Sequence, residues 1–188
     1  MKHILLIRHG ATAGNLQRRY VGRTDEPLCE QGIAQAELLR EFGCTVDYLF
    51  VSPALRTRQT AQIVFPGMQQ IIVEDLIETD FGKFEGKTAD ELSDDADYRV
   101  WLESVCTAPI PNGESVNDFK KRCCKAFTAA VNELPEDSRA AFVIHGGGIM
   151  AILEAFSFPS RSFYDCHIGT GEYVQCRFER GSLYIEET

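Results

Sequence analysis

Two histidines sit in matching local patterns. His9 ends the run Ile4-Leu5-Leu6-Ile7-Arg8-His9-Gly10, and His145 ends Ala140-Ala141-Phe142-Val143-Ile144-His145 before three glycines, Gly146 to Gly148. Short apolar runs of this kind read as buried strands, which puts each histidine where a strand stops. That is the edge at which open α/β sheets hold ligands. Arg8 supplies one cation there. Arg56 supplies a second, since it falls in the first turn of a helix that follows another apolar run, residues 46–51. Two arginines, two histidines and the amides of a helix start make a pocket for a dianionic phosphoryl group. Phosphoryl transfer asks a protein mainly to position that group and to neutralise its equatorial oxygens. No Ser or Cys occupies a comparable position as nucleophile, so nitrogen must attack. A neutral imidazole is available near pH 7, and its phosphoramidate is labile enough to hydrolyse.

The segment after Gly10 is rich in small residues and reads as a loop through Asn15, Arg18, Arg19, Gly22 and Arg23, which predicts a cationic mouth. Such a reaction also needs a proton donor for the leaving oxygen. Glu78, Asp80 and Glu85 lie among aromatics and glycines rather than on a charged helical face, and all three qualify on spacing.

The elements that must position these groups follow from periodicity. Glu30-Gln31-Gly32 opens a packing helix with Ala34, Leu38 and Phe42 at helical spacing and Gly43 as a stop. Ser52-Pro53 reads as a cap and first helical residue for a helix over 54–64. Residues 71–73 form a short strand. The acidic, irregular stretch at about 87–111 predicts a small helical cap over the sheet, with Tyr98, Trp101 and Leu102 at helical spacing. Ser115 and Asp118 suggest a capping box for a five-turn helix to Leu134. A helix over 149–156 follows His145 and its glycines. Residues 172–178 and 182–186 read as two strands around Glu179-Arg180-Gly181. The alternation of strands and helices predicts an α/β fold.

The chain has 188 residues, 44% hydrophobic and 25% charged, the balance of a globular protein. It fits one domain over 1–188 with the cap as an insertion. Its net charge of −9 makes nucleic acid or an anionic membrane surface a poor partner. Seven cysteines without Cys-x-x-Cys spacing predict reduced, structural thiols rather than disulfides or a zinc ribbon. No apolar run is long enough to span a bilayer or serve as a signal peptide, so a cytoplasmic location is expected.

Taken together, the motifs resemble the histidine phosphatase superfamily, in the branch that includes cofactor-dependent phosphoglycerate mutases. They are Leu6 to Gly10 with Thr12 and Asn15, Gly22 with Asp25 and Leu28, and Ser52-Pro53 with Arg56 and Gln59-Thr60-Ala61. Further along come Glu78 with Phe81-Gly82 and Glu85-Gly86, Pro111 to Ser115, and His145-Gly146-Gly147. The resemblance implies a three-layer α/β/α sandwich with a mostly parallel central sheet. It implies that His9 is phosphorylated, that Arg8, Arg56 and His145 hold the phosphate, and that Glu78 donates the proton. Asn15, Gly22, Arg23 and Gly146 would contact substrate, with no metal or organic cofactor required. The short cap, with Trp101 ahead of Pro109 to Glu114, looks most like α-ribazole phosphatases, which implies a small phosphomonoester as partner. Trp101 could stack on a heteroaromatic substrate or simply pack. Ala11, Arg23, Gly148 and Met150 depart from the usual residues of the branch and bear on substrate choice. A phosphoglycerate mutase and a non-catalytic phospholigand-binding protein on the same fold are the alternatives.

Overall fold

The computed structural model describes residues 1–43 and 45–186. In chain order its elements are β1 (Lys2–Arg8), α1 (Ala13–Leu16), α2 (Glu30–Glu41), β2 (Tyr48–Val51), α3 (Leu55–Val64), β3 (Ile71–Ile72), α4 (Ala96–Glu103), α5 (Val116–Glu133), β4 (Arg139–Ile144), α6 (Gly146–Phe156), β5 (Tyr173–Glu179) and β6 (Ser182–Ile185). The strands form one sheet in the order β3-β2-β4-β1-β5-β6. The first four run parallel, and β5 and β6 add an antiparallel edge.

Continuous apolar strands are required because both faces of the sheet are covered. In β1, Ile4 and Leu6 join the core beneath α5 and α6, while Leu5 and Ile7 join the core beneath α2 and α3. In β4, Phe142 and Ile144 face the first core and Ala141 and Val143 the second. The small residues on that second face let α2 and α3 pack close to the strands. α5 is amphipathic: Phe119, Cys123, Phe127, Ala130 and Val131 are buried on one stripe. Replacing Phe127 with Ala would cost about 3–5 kcal/mol. A separate apolar cluster of Phe84, Leu92, Tyr98, Trp101 and Ile110 lies outside the sheet, packed with Tyr20 and Phe81.

Five local expectations change. α2 packs through Gly32, Ala36 and Leu39, while Ala34, Leu38 and Phe42 are exposed, because the face turned to the sheet is the one next to the expected stripe. The segment after Gly10 is partly helical, because Thr12 and Asn15 form a reciprocal capping box that starts α1. Ser52 does not cap α3, whose N-cap is Ala54, and Pro53 lies before the helix. α6 begins at Gly146, not at Ile149. In α4 only Tyr98 and Trp101 are buried, and Leu102 is 47% exposed. Six cysteines are free thiols, and Cys44 lies outside the described residues. No helix among them is long and apolar enough to cross a membrane.

Candidate active site

Strand register brings the two histidines together. β1 and β4 pair in parallel with Arg8 opposite Ile144, so His9 and His145 leave adjacent strands at the same level. The His9 amide donates to the Ile144 carbonyl at 3.0 Å, and the two rings meet edge to face with centroids 5.2 Å apart. β2 pairs on the other side of β4, which brings Ser52 to the same edge.

The tautomer of His9 follows from its partners. Nδ1–H donates to the Gly10 carbonyl at 2.7 Å, and Nε2 accepts from Arg56 Nε at 3.3 Å. Nε2 therefore carries the lone pair. Burial, reinforced by the Arg56 charge, lowers the His9 pKa to about 3, so the ring is neutral. Burial, with Arg56 next, also holds His145 well below the usual histidine range. Its Nε2 lies 2.7 Å from Ser52 Oγ, while its Nδ1 is buried without a partner among the described residues.

Arg56, on the first turn of α3, is fully buried. Its Nη1 donates to the Thr24 carbonyl and its Nη2 to the Gly22 carbonyl, both at 2.9 Å. Arg8 donates from Nη1 to the Ile168 carbonyl at 2.6 Å, leaving its buried Nε without a partner among the described residues. A Cβ on Gly146 would stand 3.1 Å from the Arg8 guanidinium, so glycine is what lets Arg8 lie across the start of α6. Burial lowers the pKa of both guanidiniums, but an arginine keeps its charge.

The three candidate carboxylates separate clearly. Asp80 accepts from the Gly82 amide and shapes a turn. Glu85 Oε1 accepts from the amides of Gly22 and Thr24 at 2.8 and 3.0 Å, fixing the loop whose carbonyls hold Arg56. Glu78 alone reaches the helix start: Oε2 accepts from the Gly147 amide at 3.2 Å and Oε1 from Thr79 at 2.9 Å. It also lines a cavity of about 360 Å³, walled by Tyr20, Phe81, Trp101, Ile110, Phe119, Phe163 and Tyr164. Among the described residues, no lysine or arginine lines that cavity.

Other expected contacts stand differently. The Asn15 carbonyl oxygen is spent on the Thr12 amide, and Gly22 contributes through its backbone to Glu85 and Arg56. Arg23 is exposed, with a guanidinium nitrogen 3.9 Å from Glu114. The mouth is less cationic than the sequence implies, because Arg19 is paired with Glu91 and the Gly86 carbonyl. Periodicity also gave no notice of several participants. Ser52 reads from sequence as a helix cap, and nothing in the local pattern marks Arg122. His167 joins the site late in the chain, 3.5 Å from Arg8 and on the cavity wall. Among the described residues, no cluster of His, Cys, Asp or Glu is suited to a metal ion.

Comparison with known proteins bears on family and fold. The family model for the histidine phosphatase superfamily (branch 1) matches residues 4–188. The "Probable phosphoglycerate mutase GpmB" of Klebsiella pneumoniae (strain 342) is 31% identical over 200 residues, covering 99% of this chain and 92% of that protein. Among solved structures, the α-ribazole phosphatase from Shigella flexneri superposes with a TM-score of 0.87 at 24% identity, over 98% of this chain and 94% of that one. The phosphoglycerate mutase from Thermus thermophilus gives 0.75 at 28%, over 96% and 95%. With its sheet order and the family match both in place, this chain belongs to the histidine phosphatase superfamily, branch 1.

Proposed function

We propose that the protein is a metal-independent phosphomonoesterase working through a phosphohistidine on His9. The observation that carries this reading is the state of His9: a buried, neutral imidazole whose Nε2 lone pair is set by two hydrogen bonds, with Arg56 against it. Nε2 forms the bond to phosphorus as the ester P–O bond breaks, and Glu78 gives its proton to the leaving oxygen. The phosphorylated ring keeps the Nδ1 proton, and the Gly10 carbonyl stabilises the resulting cation. Water then attacks phosphorus, the N–P bond breaks, and Glu78 takes the proton back. Arg8, Arg56 and the α6 amides neutralise the equatorial oxygens. With Ser52 against Nε2, the Nδ1 of His145 is left for a phosphoryl oxygen.

The cavity beside Glu78 is the place for the leaving group, and its walls favour an apolar or aromatic alcohol. A phosphoglycerate would bring a carboxylate, and among the described residues no lysine or arginine lines the cavity to pair with it, leaving His167 as its one basic side chain. This supports a small phosphomonoester such as α-ribazole 5'-phosphate, and hydrolysis over mutase chemistry. The test is phosphate release, with EDTA present, from α-ribazole phosphate, p-nitrophenyl phosphate and 3-phosphoglycerate. His9→Ala should lose on the order of 10³-fold or more, and Glu78→Gln about 10²-fold or more on α-ribazole phosphate. Acid-labile label on His9 after rapid quenching is expected. Phosphoryl exchange confined to phosphoglycerates would establish the mutase instead, and full activity in His9→Ala would remove the mechanism.

A further inference from the structure

Arg122 lies on α5, outside the residues that contact a phosphoryl group, yet it is the most heavily bonded cation described. A guanidinium has five N–H donors in a fixed fork. Here they meet five oxygens: Nε and Nη2 hold Glu114 in a two-pronged pair at 2.7 and 2.8 Å. Nη1 donates to the carbonyls of Asp75 at 2.7 Å and Ile77 at 2.6 Å, and Nη2 to that of Glu78 at 3.0 Å. The side chain is only 17% exposed, and its guanidinium also lies over the Phe119 ring of the cavity wall.

Three of those acceptors belong to the segment that ends at Glu78. That segment is a 3₁₀ turn, Glu74–Leu76, followed by extended Ile77, so no helix or strand ladder holds it. Glu114 grips the other side of the same segment, since its amide donates to the Asp80 carbonyl at 2.9 Å. The backbone on either side of Glu78 is thus fastened to one ion pair.

We propose that Arg122, with Glu114 as its anchor, is a positioning residue for the proton donor Glu78. The inference rests on the phosphatase reading and adds to it a group that never touches substrate. Its role is to keep the Glu78 carboxyl in reach of the leaving oxygen; a small displacement of a general acid forfeits much of its effect. Lysine cannot substitute, because a point charge with three donors cannot serve five oxygens.

The test compares two esters of similar size and apolarity, p-nitrophenyl phosphate and 2-phenylethyl phosphate. Nitrophenolate leaves without a proton, whereas a phenylethanol oxygen needs one. The parameter is kcat/KM, which covers the step in which the ester bond breaks. Arg122→Met should lower it about 10–100-fold for the phenylethyl ester and less than about 3-fold for the nitrophenyl ester. Glu78→Gln should show the same skew more strongly, Arg122→Lys a large part of it, and Glu114→Gln an intermediate one. The ratio of the two rates in one sample does not depend on the folded fraction, so destabilisation alone leaves it unchanged. If Arg122→Met does not fold, Arg122→Lys and Glu114→Gln decide. An unchanged ratio in the Arg122 and Glu114 variants, with a skewed ratio in Glu78→Gln, overturns the proposal and spares the function. No skew in Glu78→Gln overturns Glu78 as donor and the proposal with it, and no release of phosphate by the wild type overturns both readings.

Discussion

His9 and His145 are held neutral at a cost that depends on pH. In the unfolded chain a histidine takes up a proton near pH 6.5, whereas burial keeps folded His9 neutral down to about pH 3, and His145 shifts in the same direction. Between those limits the unfolded state binds protons that the folded state refuses. Stability is therefore full above about pH 6.5 and declines as pH falls toward 3, by up to about 1.4 kcal/mol per pH unit for each histidine. Urea unfolding between pH 7.5 and 4.5 should show this decline, and His9→Asn or His145→Asn should each make it shallower. A variant with the wild-type slope would mean that its histidine protonates freely in the fold. At this scale the sequence was informative about identity and silent about partnership. His9, Arg8, Arg56 and His145 stood out because strand ends and a helix start are readable locally. Arg122 did not, because the carbonyls it holds lie 44 to 47 residues away.

The start of α6 shows how an element serves chemistry. Glycine has poor helix propensity, so the reading from sequence set the helix at Ile149, past the three glycines. In the fold those glycines occupy the first helical turn, where amides have no helical partner in any case and close approach matters more than propensity. A Cβ on Gly147 would stand 2.6 Å from Glu78 Oε1 and 3.0 Å from Phe119, whereas on Gly148 it would meet nothing closer than 3.5 Å. Gly147→Ala should displace the flexible Glu78 carboxyl. Any gain in helix propensity, up to about 1 kcal/mol, offsets the crowding of Phe119. Stability should change by no more than about 1 kcal/mol, while kcat/KM on an alkyl ester falls on the order of 10-fold or more. Gly148→Ala should keep both activity and stability, and Tm together with kcat/KM measured on the two variants checks this. Equal activity in both would show that Glu78 needs no room at Gly147. The same logic explains Ser52, whose position ahead of Pro53 imitates a helix cap but whose hydroxyl is committed to His145.

Across the whole molecule, the alternating pattern gave the α/β layers, but the strand order did not follow from it. β1 pairs with β4 and β5, partners more than 130 residues distant, and no local signal carries that. The aromatic cluster around α4 was visible only as spacing, and the structure gives Trp101 two jobs. It is 8% exposed and packs edge to face on Tyr20 and in tilted contacts on Phe84 and Tyr98. It also lines the cavity beside Glu78. Trp101→Ala removes ring contacts worth about 3–5 kcal/mol in a packed site, and Tm should fall. If the ring also forms part of the leaving-group wall, KM for 2-phenylethyl phosphate should rise about 10-fold, while methyl phosphate, too small to reach the wall, is little affected. Trp101→Phe keeps an aromatic face and should recover most of the binding with part of the stability. The decisive comparison is between the two esters at a temperature well below the lowered Tm. A KM that rises equally for both would assign Trp101 to packing alone, whereas a rise confined to the phenylethyl ester would make the α4 cluster a direct determinant of which alcohol the site accepts.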